Sequence, residues 1–407
     1  MLKRGVQNKG AWGEMTSIRK MFTAIGLSHT LIHVCSNAHI ALIPVLMIEF
    51  ELSLFETSII ATVPFLCSIF GSPIGGYLSD RIKPTYVIGM SLLLGSIGTA
   101  SVYLAPNSGI LIGSFALLSF ASAVYHPPAY ALTSEMYSER RNTALGLLGA
   151  TGILGMSIGP ISIGILLTTF GWRLIYFLWT LPIFVVAILL IILTYNRVPK
   201  VTQLNIGKSE EISTSGDQKS SALFLNVMIF ISLVSMGKMI IGTYFTTYLV
   251  LGREIPESLA ITLFGVMGII GMMSSPGGGF LADKLGEKKY LTIAYIAIAS
   301  LLLAFFFAQE FSIIIILMMV YGFFRSSDMG VTATLVAYTT QTRKRGAAYG
   351  IFFIPPQVIG AIAPIVAAYV AEQTGISNIF LLSIIFFILA ILVLQKINLE
   401  GRREITL

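Results

Sequence analysis

The sequence predicts an all-α membrane protein built from two homologous six-helix bundles, and three observations carry that expectation. The chain of 407 residues is 55% hydrophobic and only 11% charged, with a mean hydropathy of +0.85; soluble domains carry roughly a quarter charged residues. Twelve stretches are apolar and approach the roughly 20 residues that a bilayer span requires. The run Gly76-Tyr77-Leu78-Ser79-Asp80-Arg81 returns 203 positions later as Gly279-Phe280-Leu281-Ala282-Asp283-Lys284. Gly146, Pro160 and Gly171 likewise align with Gly350, Pro364 and Gly375 at a spacing of 204. A repeat of half the chain length means two copies of one structural unit.

Charge, Gly or Pro punctuates every gap between spans. In the first repeat the spans fall at roughly 22–48, 56–79, 86–105, 109–134, 143–169 and 172–194. Lys20 precedes the first, Asp80-Arg81 ends the second, Lys83-Pro84 opens the third and Pro106-Asn107 closes it. Glu135 ends the fourth, Arg140-Arg141 precede the fifth, and Gly171 separates it from the sixth. The second repeat matches at roughly 223–250, 257–282, 291–309, 311–338, 346–371 and 376–396. Domain boundaries follow: an N-terminal bundle over 1–194, a linker over 195–222 rich in Ser, Thr, Lys and Glu, and a C-terminal bundle over 223–407.

With both termini cytoplasmic, 22 of the 26 Lys and Arg residues fall in tails and inner loops, and only Arg173 and Arg253 lie outside. The positive-inside rule therefore sets the orientation, and the net charge of +7 reflects topology rather than affinity for nucleic acid. Cys35 and Cys67 both sit inside spans, which suggests neither a disulfide framework nor a zinc site. The first span is too long for a signal-peptide core and is expected to be retained.

The turn after the second span of each repeat joins a small-residue helix end, an acid and a basic cluster. Its pattern, Gly-x-Leu-small-Asp-basic-x-Gly followed by basic residues, resembles the cytoplasmic signature of the major facilitator superfamily. Gly279, Asp283, Lys284, Gly286 and Lys288 fit closely; in the first copy Gly76, Asp80 and Arg81 fit, while Lys83 and Pro84 replace the expected Gly and basic residue. Near the fourth span Glu135, Glu139, Arg140 and Arg141 form a candidate gating cluster. In span 5, Gly146, Gly155, Gly159, Pro160 and Gly164 are spaced like the antiporter motif of proton-coupled drug exporters in that superfamily, with Ile163 where a further Gly is usual. Glycine-mediated packing is the plain alternative. The resemblance implies twelve helices as two bundles related by a pseudo-two-fold axis, a cavity lined by spans 1, 4, 7 and 10, and a monomer.

Ionisable groups inside a bilayer are costly and are candidates for function. They fall on those four spans: His29, His33 and His39 on span 1, His126 on span 4, Lys238 on span 7, and Arg325 with Asp328 on span 10. His29 and His33 share a helix face with Ser36 and Asn37. His126 belongs to Tyr125-His126-Pro127-Pro128, whose prolines are expected to break the helical ladder; Tyr-His-Pro there is similar to the fosmidomycin-resistance branch of drug exporters. Candidates for the proton are His33, His126 and Asp328. Candidates for the substrate are His29, Asn37, Tyr125, Lys238, Tyr244 and Arg325, with Arg325 and Asp328 expected to neutralise each other.

Two fixed cations suit an anionic substrate. The expectation is a proton-coupled antiporter that exports a small anionic or amphipathic compound, with uptake of an organic anion by proton symport, or a transport-inactive membrane sensor, as alternatives. The chain carries no His-Glu-x-x-His, Gly-x-Ser-x-Gly or P-loop pattern, so an enzyme is not expected. The partners expected are a small molecule, protons and the lipid bilayer, with no nucleic acid, cofactor or metal.

Overall fold

The computed structural model describes the backbone of residues 2–137, 140–194, 218–339 and 345–397, with side chains from residue 18 onward except at 141–142, 193–194, 218–222, 275, 333, 336–339 and 345–357. Most of the expected linker, residues 195–217, lies outside the described residues. The described residues are helices joined by short turns, with no strand among them.

In the first repeat these are α1 (Leu2–Ser36), α2 (Ala38–Ala41), α3 (Ile43–Glu49), α4 (Leu54–Ser79), α5 (Pro84–Leu104), α6 (Ser108–Met136) and α7 (Arg141–Thr194). The second has α8 (Gln218–Thr247) running into a π turn at Tyr248–Gly252, then α9 (Glu257–Leu285), α10 (Glu287–Phe307), α11 (Phe311–Ser327), α12 (Met329–Thr339), α13 (Arg345–Thr374) and α14 (Asn378–Lys396). Among the described residues nine helices are long and apolar enough to cross a membrane. Segments Ile18–Ala41 and Ile43–Glu49 form one further span bent by 58°. The 54-residue α7 is broken at Gly171 and counts as two, and α13 completes the twelve expected positions.

Span 1 is therefore bent. Pro44 stands in the first turn of α3, where its missing N–H removes a rung of the preceding helix. In span 4, α6 keeps its course through Pro127 and Pro128, while its ladder loses the two rungs that these prolines cannot supply. Those prolines cannot donate to the carbonyls of Ala123 and Val124, and α4 covers both. Ser72 donates to the Ala123 carbonyl at 3.4 Å, and Gly75 lies so close to the Val124 carbonyl that a Cβ there would collide with it. In a bilayer such freed carbonyls find no water, so a neighbouring helix must cover them.

The repeat holds at the level of single backbone angles. Gly171 and Gly375 join the last two spans of their halves with φ of 68° and 99°, a region that L side chains avoid. Glu51 and Glu254, 203 positions apart, both take positive φ, at 52° and 54°, just beyond the first span of each half. Arg173 donates to the carbonyl of Ala105 and Arg253 to that of Ala308, both at 2.7 Å. Each of these carbonyls belongs to the C-cap residue of its half's third span, where a cation complements the helix dipole.

The described residues of Met1–Ala38, Cys67–Gly159 and Leu166–Asn205 pack as one compact unit, and those of His39–Leu66, Pro160–Ile165 and Ile206–Leu407 as a second. The first is centred on residues such as Ile32, Leu92, Tyr125 and Ile183. The second is centred on Phe230, Phe245, Tyr295, Phe305 and Phe380, among others, and takes in Ile43.

Gly375→Ala is expected to cost about 1–2 kcal/mol, the penalty for a Cβ in the left-handed region. Gly113→Ala, in the body of α6 with nothing within 4 Å of an added Cβ, is expected to be neutral or stabilising. Apparent melting temperatures of the two variants in detergent check the contrast.

Candidate functional site

Two polar clusters stand inside the spans, one in each compact unit. In the first unit they are built from α1, α6 and α7. Residues 29 and 33 are one helical turn apart on α1, so both imidazoles leave the same face. His126 meets them from α6, with its Nε2 at 3.1 Å from His33 Nε2 and 3.4 Å from His29 Nε2. The three ring centroids lie 4.9, 5.1 and 5.3 Å apart. His29 Nδ1 is 2.8 Å from the Leu148 carbonyl and 3.2 Å from Thr151 Oγ1. A carbonyl only accepts, so Nδ1 carries the proton of a neutral His29, and its Nε2 faces the cluster with a lone pair. Ser36 Oγ lies 3.4 Å from His33 Nδ1.

This arrangement requires α1 and α7 to nearly touch. Gly152 leaves room for the His29 ring, Gly155 lies against the Thr30 carbonyl, and Gly159 lies against the Val34 carbonyl. Gly155 and Gly159 of the antiporter-like spacing thus stand where two backbones meet. Gly164 lies against Thr262 and the Ser258 carbonyl in the second unit, Pro160 is buried, and Gly146 faces open space.

Tyr125 and Asn37 stand in different surroundings. Tyr125 is fully buried, stacks on His29 at 5.3 Å, donates to the Ile25 carbonyl at 2.7 Å and shares a 2.8 Å hydrogen bond with Ser28. Its hydroxyl is occupied in tying α6 to α1 and has no hydrogen left for a substrate. Asn37 stands exposed at the break after α1, outside the histidine cluster. His39, beyond that break in α2, is not a member of the cluster either.

In the second unit the main element is an ion pair. Lys238 Nζ on α8 lies 2.6 and 2.7 Å from the two carboxylate oxygens of Asp328, and Tyr295 on α10 donates to Asp328 Oδ2 at 2.6 Å. The Asp328 side chain is 2% exposed and that of Lys238 24%. Among the described residues, Tyr290 and Tyr321 also lie within electrostatic reach of the carboxylate. The expected Arg325–Asp328 pair is corrected. Asp328 caps α11 at the break before α12 and gives its carboxylate to α8 and α10, and Arg325 makes no ion pair among the described residues. One of the two cations that favoured an anionic substrate is therefore neutralised. Tyr244 is fully buried and donates to the Leu54 carbonyl at 3.3 Å, so it holds α4 to α8 in place of meeting a ligand.

The signature turns diverge for a visible reason. In the second copy one residue joins α9 to α10, and Gly286 makes the turn with φ of 88°. Lys288 donates to the carbonyls of Gln395 and Ile397 at 2.7 and 3.1 Å, closing the end of α14. In the first copy four residues separate α4 from α5, Lys83 is extended with φ of −55°, and Pro84 opens α5. That longer turn needs no glycine. Arg81 lies over the Tyr77 ring at 3.4 Å and Lys284 over Phe280 at 4.3 Å, while Asp80 and Asp283 are exposed. A Cβ added at Gly76 would touch Pro127 at 3.9 Å, and one added at Gly279 would meet nothing within 4 Å among the described residues. Arg140 is exposed; Glu139 and the Arg141 side chain lie outside the described residues, as therefore does the full candidate gating cluster.

Sequence reasoning missed Tyr295, one of 16 tyrosines and without any local signal, and Thr151 and Gly152, which border the histidines from α7. The His-x-x-x-His spacing of α1 was a legible signal for the cluster.

The Major Facilitator Superfamily profile matches residues 25–311 and 274–402. This chain belongs to the Major Facilitator Superfamily. It is a multi-pass membrane transporter and not an enzyme. It is 23% identical over 342 residues to a cis,cis-muconate transport protein of Acinetobacter baylyi, covering 81% of each chain. It is 24% identical over 334 residues to the multidrug resistance protein MdtG of Citrobacter koseri, covering 80% of each. Among solved structures it resembles a bacterial homolog of the human lysosomal transporter Spinster in its inward-facing occupied form, with TM-score 0.79, 15% identity, and 94% of this chain and 98% of that one covered. At that identity the likeness concerns the superfamily fold alone.

Two stability comparisons test the site's construction. Gly155→Val is expected to destabilise strongly by driving α7 away from the Thr30 carbonyl, while Gly146→Ala leaves the melting temperature unchanged. Lys238→Met is expected to cost about 3–5 kcal/mol by leaving a buried carboxylate uncompensated. Adding Asp328→Leu is expected to recover most of that loss in a double-mutant cycle.

Proposed function

We propose that the chain is a proton-coupled antiporter that exports a small amphipathic compound by alternating access, with Asp328 carrying the proton. It would work as a monomer in the cytoplasmic membrane with both termini inside, using 1–194 and 223–407 as its two bundles. The observation that carries this reading is the buried Lys238–Asp328 pair, completed by Tyr295. An acid held by a cation is a two-state element: ionised, it binds Lys238; protonated, it releases it. MdtG, a multidrug resistance protein by name, supports export.

The substrate's charge decides the sign of coupling. A substrate group that is cationic or donates hydrogen bonds competes with the proton for the Asp328 carboxylate. Substrate and proton then exclude each other, which is antiport. A substrate bearing a carboxylate or phosphonate would instead take the Lys238 released by protonation, together with Arg325, so that it and the proton load together. This is symport, and Arg325, which has no acid partner among the described residues, favours it as the second reading, as does the muconate transport protein. An anionic substrate thus goes with uptake and an amphipathic donor with export.

The test is internal pH in proteoliposomes of known orientation, under imposed gradients of amphipathic amines or organic anions. Export predicts proton movement opposite to an amphipathic amine, and Asp328→Asn abolishes that coupling. Proton movement in the same direction as an organic anion would replace export by uptake. Flux that stays proton-coupled in Asp328→Asn would remove Asp328 from the role, and binding without flux would make the protein a sensor.

A further inference from the structure

A proton carried by Asp328 leaves the three histidines of the first unit without a role. Their arrangement is costly as it stands. His126 Nε2 faces two imidazole nitrogens at 3.1 and 3.4 Å, and His29 offers the cluster only a lone pair. A neutral His126 has at most one hydrogen on Nε2 to share between both neighbours. His29 and His33 are 2% and 8% exposed, so water does little to relieve the shortfall.

We propose that His29, His33 and His126 form a three-imidazole site for a divalent transition-metal ion of the zinc class, with the fourth coordination position open. Four ligands at 2.0–2.1 Å around a tetrahedral ion stand about 3.3 Å from one another. The two Nε2 separations of 3.1 and 3.4 Å already match that edge, and all three ligand atoms lie within 4.8 Å of one another. A small rotation of a side chain closes the remaining edge. The surroundings of the cluster also suit a metal. A histidine ligand ordinarily passes its other ring nitrogen to a carbonyl or hydroxyl, which fixes the tautomer and aims the lone pair. His29 does so to Leu148 and Thr151, and Ser36 stands beside the far nitrogen of His33. The stacked Tyr125 ring fixes the His29 plane.

The donor set selects the ion. All-imidazole sites suit zinc, copper, nickel and cobalt, whereas calcium and magnesium require oxygen ligands. Among the described residues no carboxylate belongs to the cluster, so a bound ion keeps its full positive charge. Its open position would take water or an anionic group. Metal binding rests on the geometry of the first unit and stands or falls independently of proton coupling at Asp328.

The experiment uses full-length, tag-free protein, stripped with a chelator in detergent and titrated with cobalt(II). Expected are one cobalt per chain, an intense visible band of tetrahedral coordination, and its loss when zinc is added. His33→Gln is expected to weaken cobalt binding by at least about 100-fold, the upper end of what losing a supporting group alone costs; His39→Gln is expected to leave it unchanged. Because His33→Gln could also disturb packing, its apparent melting temperature without metal is compared with that of the metal-free wild type, and His126→Gln, on another helix, is titrated beside it. Loss of the band in a variant that melts like the metal-free wild type supports the site. Absence of stoichiometric cobalt from the wild type, or a band that survives in both His33→Gln and His126→Gln, would each overturn it.

Discussion

Several helices of this protein cross where no side chain can stand, and the rest of the structure depends on those crossings. Lipid is as apolar as leucine, so burying apolar surface does little to drive helices together in a bilayer; close backbone packing and polar contacts must do it. Gly75 meets the Val124 carbonyl and Gly278 meets the Ser327 carbonyl, 203 residues apart in both strands of the comparison. The first crossing also covers a carbonyl that Pro128 leaves without its helical donor. Gly155 and Gly159 do the same between α7 and α1.

The polar clusters sit beside these crossings. The residue after Val124 is Tyr125, which ties α6 to α1 through the Ile25 carbonyl; the residue after Ser327 is Asp328, which ties the end of α11 to α8 through Lys238. Each half thus joins its first and fourth spans by a buried polar link at the same position of the repeat. The two links differ in chemistry. A tyrosine hydroxyl bonded to a carbonyl is a neutral link, whereas a carboxylate paired with an ammonium is a link between charges that a proton can break. This asymmetry is the physical ground for proposing the second half for the proton and another ligand for the histidines of the first.

Much of the candidate site was legible before any coordinates. His29, His33, His126, Lys238, Arg325 and Asp328 were identifiable because charge and imidazole are rare in apolar spans. The partners were not. Arg325 is three residues from Asp328, and sequence spacing alone pairs them; the break at Asp328 and the approach of α8 pair the acid with Lys238 instead. Tyr125 and Tyr244 looked available for a substrate because exposure cannot be read from residue type, and both are fully buried with their hydroxyls bonded.

The sequence by itself determined the class, the number of spans and the internal duplication, since each follows from local properties: apolar length, punctuation and spacing. It also located the turning glycines, because positive φ at Gly171, Gly286 and Gly375 is a local demand that few other residues meet. Tertiary structure alone decided which helix faces meet, and with that the convergence of three imidazole nitrogens, the pairing of Lys238 with Asp328, and the role of the span 5 glycines. Those outcomes depend on distances between segments about 90 to 120 residues apart, and no local pattern encodes such distances.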